Sequence, residues 1–347
     1  MIKYKDYHYL KKILYYITDH GMGHTTRSIA IIRELIKEGI QVTVRNSNID
    51  YLNKSLPNIN TISGTTDVGP TIEKNGISIN ENKTLENIGK WIDSIRLTSE
   101  KEYKIISNIK PNLIVSDISA MPFFAAHKAQ INSVALSNFS WTDVLTGFSN
   151  KQMGLLEEAY GLSDLAIQLP LGTQMKSFKN KKQVGLVCKK STGSRKVIRK
   201  KLGVKDSDIC IFVNLPNHFM IKSKIPSNVK IISTGAHINS DNVKYIEPWI
   251  EGQNIITASD LVICKCGYGM ISECLTNGTP FLYISDDNHL EQKAISDQLD
   301  AMGLENRITE KDLEGLILSK ESISKIKVKK ENNVTESVSN ILKECIY

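Results

Sequence analysis

Two histidines four residues apart, His20 and His24, stand in Thr18-Asp-His-Gly-Met-Gly-His-Thr-Thr-Arg27, directly after the apolar run from Ile13. Where a glycine-bearing turn joins a strand to a helix, such side chains face a crevice. The positive helix end disfavours an imidazolium, so the chemistry implied is a neutral imidazole acting as general base. The other reading is structural, each ring donating to a backbone carbonyl. Asp117 ends Pro111-Asn-Leu-Ile-Val-Ser-Asp117. It either caps the helix that follows or orients the imidazole and stabilises its protonated form. The second half offers different chemistry. Lys265-Cys-Gly-Tyr-Gly-Met-Ile-Ser-Glu273 follows another short apolar run, Leu261 to Cys264. Gly267 and Gly269 leave bare backbone N–H groups and a helix dipole for one anionic group, typically a phosphate, and Glu273, one turn on, is placed to accept from ribose hydroxyls. The alternative is that the glycines serve packing and the glutamate complements the dipole. The polar run Ser285-Asp-Asp-Asn-His-Leu-Glu-Gln292 then falls where a parallel strand should end, the edge at which open α/β sheets bind ligands.

The elements that must position these groups alternate between strand and helix. In the first half the pattern predicts strands over 13–18, 41–45, 111–117, 132–136 and 165–169, with helices over 25–37, from 91 past 106, 123–129 and from about 151. The opening is a βαβ unit, but its glycines do not fit G-x-G-x-x-G. Residues 63–90 form a long polar connection, and 137–143 should line the same rim as His24. The second half predicts a helix over 194–202, strands over 208–214 and 229–233, an element at 246–250, the unit 261–284, a helix over 290–302, short helices beyond Thr309 and an amphipathic last helix carrying Val334, Val338, Ile341 and Leu342. The expected organisation is α/β, with two doubly wound, Rossmann-like domains facing a cleft. These are 1–170, a basic irregular linker over 171–184, and 185–347, the last helix packing back on the first domain.

At 347 residues two such domains each bury a core, and 41% hydrophobic with 23% charged residues is a globular balance. No apolar stretch is long enough to span a membrane, the first dozen residues lack the apolar segment of a secretory signal, and the six cysteines are too sparse for a disulfide scaffold. These readings place the chain in the cytoplasm. Cys264-Lys-Cys266 lacks the second cluster that a metal pair requires, so no metal is expected. The net charge of +7 is concentrated from Lys176 to Lys201, eleven basic residues with no acidic one. That is either a solvated face or a surface attracted to an anionic membrane or lipid diphosphate, which would put the chain at the inner face of a membrane. Nucleic acid is not expected, because no aromatic residues interleave to stack bases.

The two glycine motifs, in this order and separation, together with Leu113-Ile-Val-Ser-Asp117 and Ser137-Asn-Phe-Ser-Trp141, resemble the GT-B glycosyltransferases. The chain is most similar to the glycosyltransferase-like proteins that include the amino-terminal part of arabinokinases. More distantly it is similar to the plant and macrolide glycosyltransferases and to the N-acetylglucosaminyltransferase that forms lipid II. The resemblance implies a nucleoside-diphosphate sugar, UDP-linked, as co-substrate on the carboxyl-terminal domain, an acceptor on the amino-terminal one, no other cofactor, and inverting, metal-independent transfer of a hexosyl or N-acetylhexosaminyl unit. It implies His24 as base assisted by Asp117, and a donor site from Lys265, Gly267, Tyr268, Gly269, Met270, Glu273, Asp287 and Gln292. The acceptor or its loop would involve His20, Gly21, Gly23, Arg27, Asn138 and Trp141. Asp19 stands where close relatives have glycine, Cys266 replaces an apolar residue, Asn214-Leu-Pro-Asn217 lacks a phosphate-facing glycine, and no kinase domain follows. Two other functions fit the same architecture, a nucleotide-sugar-binding protein without transfer activity and a nucleotide-sugar epimerase.

Overall fold

The computed structural model describes residues 11–74, 76–222, 224–247 and 251–346. The first ten residues, and residues 248–250 of the element expected at 246–250, lie outside them. Two wholly parallel sheets organise the rest. The first runs Asn60–Ser63, Gln41–Asn46, Lys12–Ile17, Leu113–Asp117, Ser133–Ser137, Leu165–Gln168, Lys181–Gln183 in spatial order. Its central strands are near-continuous Ile, Leu, Val and Tyr because helices cover both faces: Ile13 to Ile17 and Leu113 to Asp117 are buried throughout. The chain order reverses between Lys12–Ile17 and Leu113–Asp117, which pair in register from Ile13 with Leu113 to Ile17 with Asp117. This is the point where a crevice opens beyond the carboxyl ends of the strands.

The second sheet repeats the design with Val243–Tyr245, Val229–Ser233, Ile209–Asn214, Leu261–Lys265 and Phe281–Ile284. Its switch point lies between Ile209–Asn214 and Leu261–Lys265. The glycine turn therefore leaves the sheet at the second crevice, as the histidine turn does at the first. The architecture is GT-B-like, as expected from the sequence.

Three differences have physical causes. Lys181–Gln183, inside the stretch read as irregular, is a seventh strand of the first sheet, pairing with Leu165–Gln168. Three exposed polar residues at a sheet edge carry no alternation for a pattern to detect. The first helix begins at Met22, not Thr25, because Gly21 at φ 77° turns the chain into it. The connection at 63–90 is not open. It holds the helix Glu81–Asp93, and Ile77 enters the apolar core of the second sheet.

The two halves pack together at several points. Val338 and Leu342 of the last helix, Thr335–Glu344, are buried in one cluster with Ile31 and Leu35 of the first helix, and Lys343 pairs with Glu38 at 3.1 Å. Burying two such aliphatic side chains contributes roughly 3 to 6 kcal/mol. Arg33 of the first helix reaches Glu251 at 2.6 Å, and Gln298 donates to the Gly172 carbonyl while accepting from the Leu171 N–H.

Candidate functional site

His24 lies in the first turn of the helix Met22–Lys37, 4% exposed, with Nδ1 2.8 Å from Asp117 Oδ1. Arg27, one turn on, grips the same carboxylate from two sides, Nε donating to Oδ2 at 2.8 Å and Nη2 to Oδ1 at 2.5 Å. Ser28 adds a hydroxyl donor to Oδ2 at 3.0 Å. The four acceptor positions of Asp117 are thus filled once His24 donates from Nδ1. Nη2 also lies 3.1 Å from Ser137 Oγ and 2.6 Å from His24 Nδ1; in the tautomer that donates to Asp117, Nδ1 keeps its own hydrogen. In that tautomer Nε2 carries the lone pair, and it is buried without a partner among the described residues. Burial alone would raise the Asp117 carboxyl. The Arg27 guanidinium, then His24, overcome this and hold it at about 2. His24 accordingly stands against a permanent carboxylate, the arrangement that lets an imidazole accept a proton.

Arg27 and Asn138, read as acceptor or loop residues, serve this network instead. Arg27 is 1% exposed, lies 5.0 Å over the Tyr268 ring and donates to Asn138 Oδ1 at 2.6 Å. Asn138 is fully buried and ties the loop onward to the Leu171 carbonyl. Trp141, also buried, donates from its indole to Asp67 at 3.0 Å and shows an edge to His20, ring centroids 5.6 Å apart. Asp67 was not singled out from the sequence. Burial pushes it up to about 6 against hydrogen bonds from Thr18, Trp141 and the Asp19 N–H. Asp19, the departure from glycine, anchors the turn by accepting from the Ser47 and Thr66 N–H groups at 2.9 and 2.7 Å.

The second glycine turn meets the first. A Cβ on Gly269 would lie 3.2 Å from the Gly23 Cα and 3.0 Å from Thr26 Oγ1, so the close approach of the two helix starts favours glycine at 269. Behind them a cavity of about 210 Å³ is lined by Met22, Tyr51, Lys189, Asn214, Met270 and Glu273. Glu273 is 4% exposed, and burial pushes its carboxyl up to about 7 although Lys189 lowers it. Lys189 is also buried and pairs with Glu251 at 3.3 Å. Tyr268 is turned away from this cavity, its hydroxyl accepting from the Val187 N–H at 3.0 Å. Lys265 donates to the Gly76 carbonyl at 3.1 Å, across the cleft.

The loop 285–292 differs most from the reading of its sequence. Asp287 is exposed and pairs with Arg307 at 2.7 Å, away from His24. Gln292 is buried, accepts from the Asp286 N–H at 3.1 Å and leaves its Nε2 without a partner among the described residues. The carboxylate brought to the cleft is Glu291. Burial would raise it, but His24, His289, His20 and Arg27 lower it, in that order. The sequence marked Glu291 and His289 only as members of the polar run 285–292, not as site residues.

The basic stretch is divided. Lys189 and Arg199 are buried, Arg199 holding the carbonyls of Ala258, Lys205 and Asp208, while most of the others are exposed. Among the described residues no helix is long and apolar enough to cross a membrane.

The fold has counterparts among known proteins. Residues 11–177 match the model of glycosyl transferase family 1, and residues 224–345 that of the glycosyltransferase family 28 C-terminal domain. The chain is 27% identical over 310 residues to L-arabinokinase of Arabidopsis thaliana, covering 82% of this chain but only 29% of that protein. UGT89C1 of A. thaliana, solved with UDP-L-rhamnose, superposes with a TM-score of 0.60 at 14% identity, over 96% of this chain and 94% of that one. SnogD of Streptomyces nogalater gives 0.61 at 13%, over 97% and 95%, and MurG of Acinetobacter baumannii 0.53 at 13%, over 96% and 99%. Each half matches a glycosyltransferase domain model and the fold is that of the GT-B structures, so the resemblance drawn from the paired glycine motifs is met.

Proposed function

We propose that this glycosyltransferase moves a hexosyl or N-acetylhexosaminyl unit from a UDP-sugar to an acceptor hydroxyl with inversion, using His24 as general base. The observation that carries the reading is the unpartnered Nε2 of His24 behind a Nδ1 bonded to a carboxylate held at about 2. Nε2 takes the acceptor's hydroxyl proton as that oxygen forms its bond to the anomeric carbon. The bond from that carbon to the diphosphate breaks on the opposite face, and the imidazolium is stabilised by Asp117. The start of Tyr268–Asn277 and Lys265 stabilise the departing diphosphate without a metal. Glu273 accepts from the ribose hydroxyls inside its cavity, while Gln292 and Glu291 offer a donor and an acceptor to the sugar. A uridine nucleotide is supported by UGT89C1, solved with UDP and with UDP-L-rhamnose, and a small-molecule acceptor by its quercetin complex. Six unpaired cysteines, five of them buried, suit a cytoplasmic site of action, and the exposed lysines of 176–201 would favour an acceptor at an anionic membrane surface.

The test is release of UDP from UDP-glucose and UDP-N-acetylglucosamine with a panel of hydroxyl acceptors. His24→Ala should lower kcat by about 10² to 10⁴ with donor affinity unchanged. Equal turnover in the variant rules out this base. Conversion of the donor with no acceptor present would mark an epimerase, and binding without consumption by any acceptor a binding protein.

A further inference from the structure

His20, His289 and Glu291 each present one ligand atom, and these atoms all lie within 4.8 Å of one another. The three come from both domains: His20 from the first glycine turn, His289 and Glu291 from the start of Leu290–Ala301. Around a zinc-class ion, ligand atoms at about 2.1 Å sit about 3.4 Å apart, so side-chain shifts of about 1 Å bring the three into one sphere, with the fourth position open to water.

The surroundings suit that use. The Glu291 carboxylate and the His20 ring have no hydrogen-bond or ion-pair partner among the described residues, although Glu291 is half-buried. Room for His20 is kept by Gly69, where a Cβ would lie 2.1 Å from Nδ1. Its other side meets the edge of Trp141, and its ring stands 6.1 Å from that of His289. Lys265 and the positive helix start oppose a cation, and Glu291 with the nearby Asp286 offsets them.

We propose that His20, His289 and Glu291 form a site for a divalent transition cation of the zinc class, which ties the two domains together across the cleft beside His24. Two neutral imidazoles and one carboxylate make a borderline donor set, suited to Zn²⁺ or Co²⁺ rather than Mg²⁺ or Ca²⁺. A bound ion would hold the cleft closed and occupy space that a sugar must enter, so the metal inhibits. The site goes beyond the transfer reading and does not depend on it.

Titration of the full chain with Co²⁺ tests this by visible absorption. The expected result is a one-to-one d–d band of a nitrogen and oxygen site, without a sulfur charge-transfer band, displaced by Zn²⁺. His289→Asn, Glu291→Gln and, from the other domain, His20→Asn should each weaken Co²⁺ by more than about 100-fold, the upper end of what losing an outer-sphere partner costs. Zn²⁺ should raise the melting temperature of the wild-type chain and of none of the three. Absence of a stoichiometric band, a sulfur band, or a band retained in the variants would overturn the proposal. Because the wild-type titration stands alone, a variant that fails to fold leaves the test intact, and no readout requires transfer activity.

Discussion

Replacing Glu273 with glutamine should stabilise the protein and weaken its donor site together. The carboxyl is buried, and burial pushes its pKa up from 4.5 to about 7. At 1.36 kcal/mol per unit this is roughly 3 kcal/mol of penalty on the charged form. The sign follows from linkage. A carboxyl raised on folding binds more protons in the native state, so its contribution falls as pH rises from the unfolded value of 4.5 through 7 and stays low above it. Glu273→Gln removes that penalty. At pH 8 the variant's melting temperature should exceed wild type by several degrees, and at pH 4 the two should coincide. Donor binding needs the ionised form to accept ribose hydroxyls. UDP affinity should therefore improve about tenfold from pH 6 to pH 8 in the wild type, with release of about half a proton at pH 7, and be flat in the variant. The loss of a charge-assisted bond costs the variant about 1.5 to 3 kcal/mol, or roughly 10- to 100-fold in Kd at pH 8. Calorimetry in buffers of different ionisation enthalpy, with melts across pH, reads every part. A gain in melting temperature that does not vary with pH, or UDP affinity flat with pH in the wild type, would refute the reasoning.

Two further substitutions probe the network and the meeting of the turns. Asp117→Asn leaves Arg27 buried against a neutral amide, and breaking such a pair from one side costs about 3 to 5 kcal/mol. Urea unfolding should show a loss of that size, larger than that of His24→Ala; a cost under 1 kcal/mol would contradict the buried clamp. Gly269→Ala places a Cβ 3.2 Å from the Gly23 backbone, so the helix starts must shift by a few tenths of an ångström, and UDP binding should weaken while each domain stays folded. Unchanged affinity would mean that the two turns do not need to abut.

What the sequence revealed and what it hid divide along one physical line. The glycine turns, their strands and the His24 and Asp117 positions were legible because each rests on local signals: an unbroken apolar run, a glycine, a polar residue at a strand's carboxyl end. That His24 and Asp117 share a crevice follows once Lys12–Ile17 and Leu113–Asp117 are neighbours, which the doubly wound pattern implies. Arg27, Asn138 and Trp141 were read as acceptor or loop residues because a polar or aromatic residue near a catalytic turn looks like a contact residue. Their hydrogen bonds join positions 90, 111 and 74 apart in the chain, and no periodicity carries that information. The choice between Asp287 and Glu291 is subtler. Both lie in one polar loop, and which faces the cleft depends on the helix starting after His289. The helix start at Leu290 was legible, but the Arg307 that draws Asp287 away lies twenty positions on, beyond any local signal. The chemistry of this cleft is therefore set by where a helix begins: that start puts Glu291 opposite His20 and His24, and leaves Asp287 to Arg307.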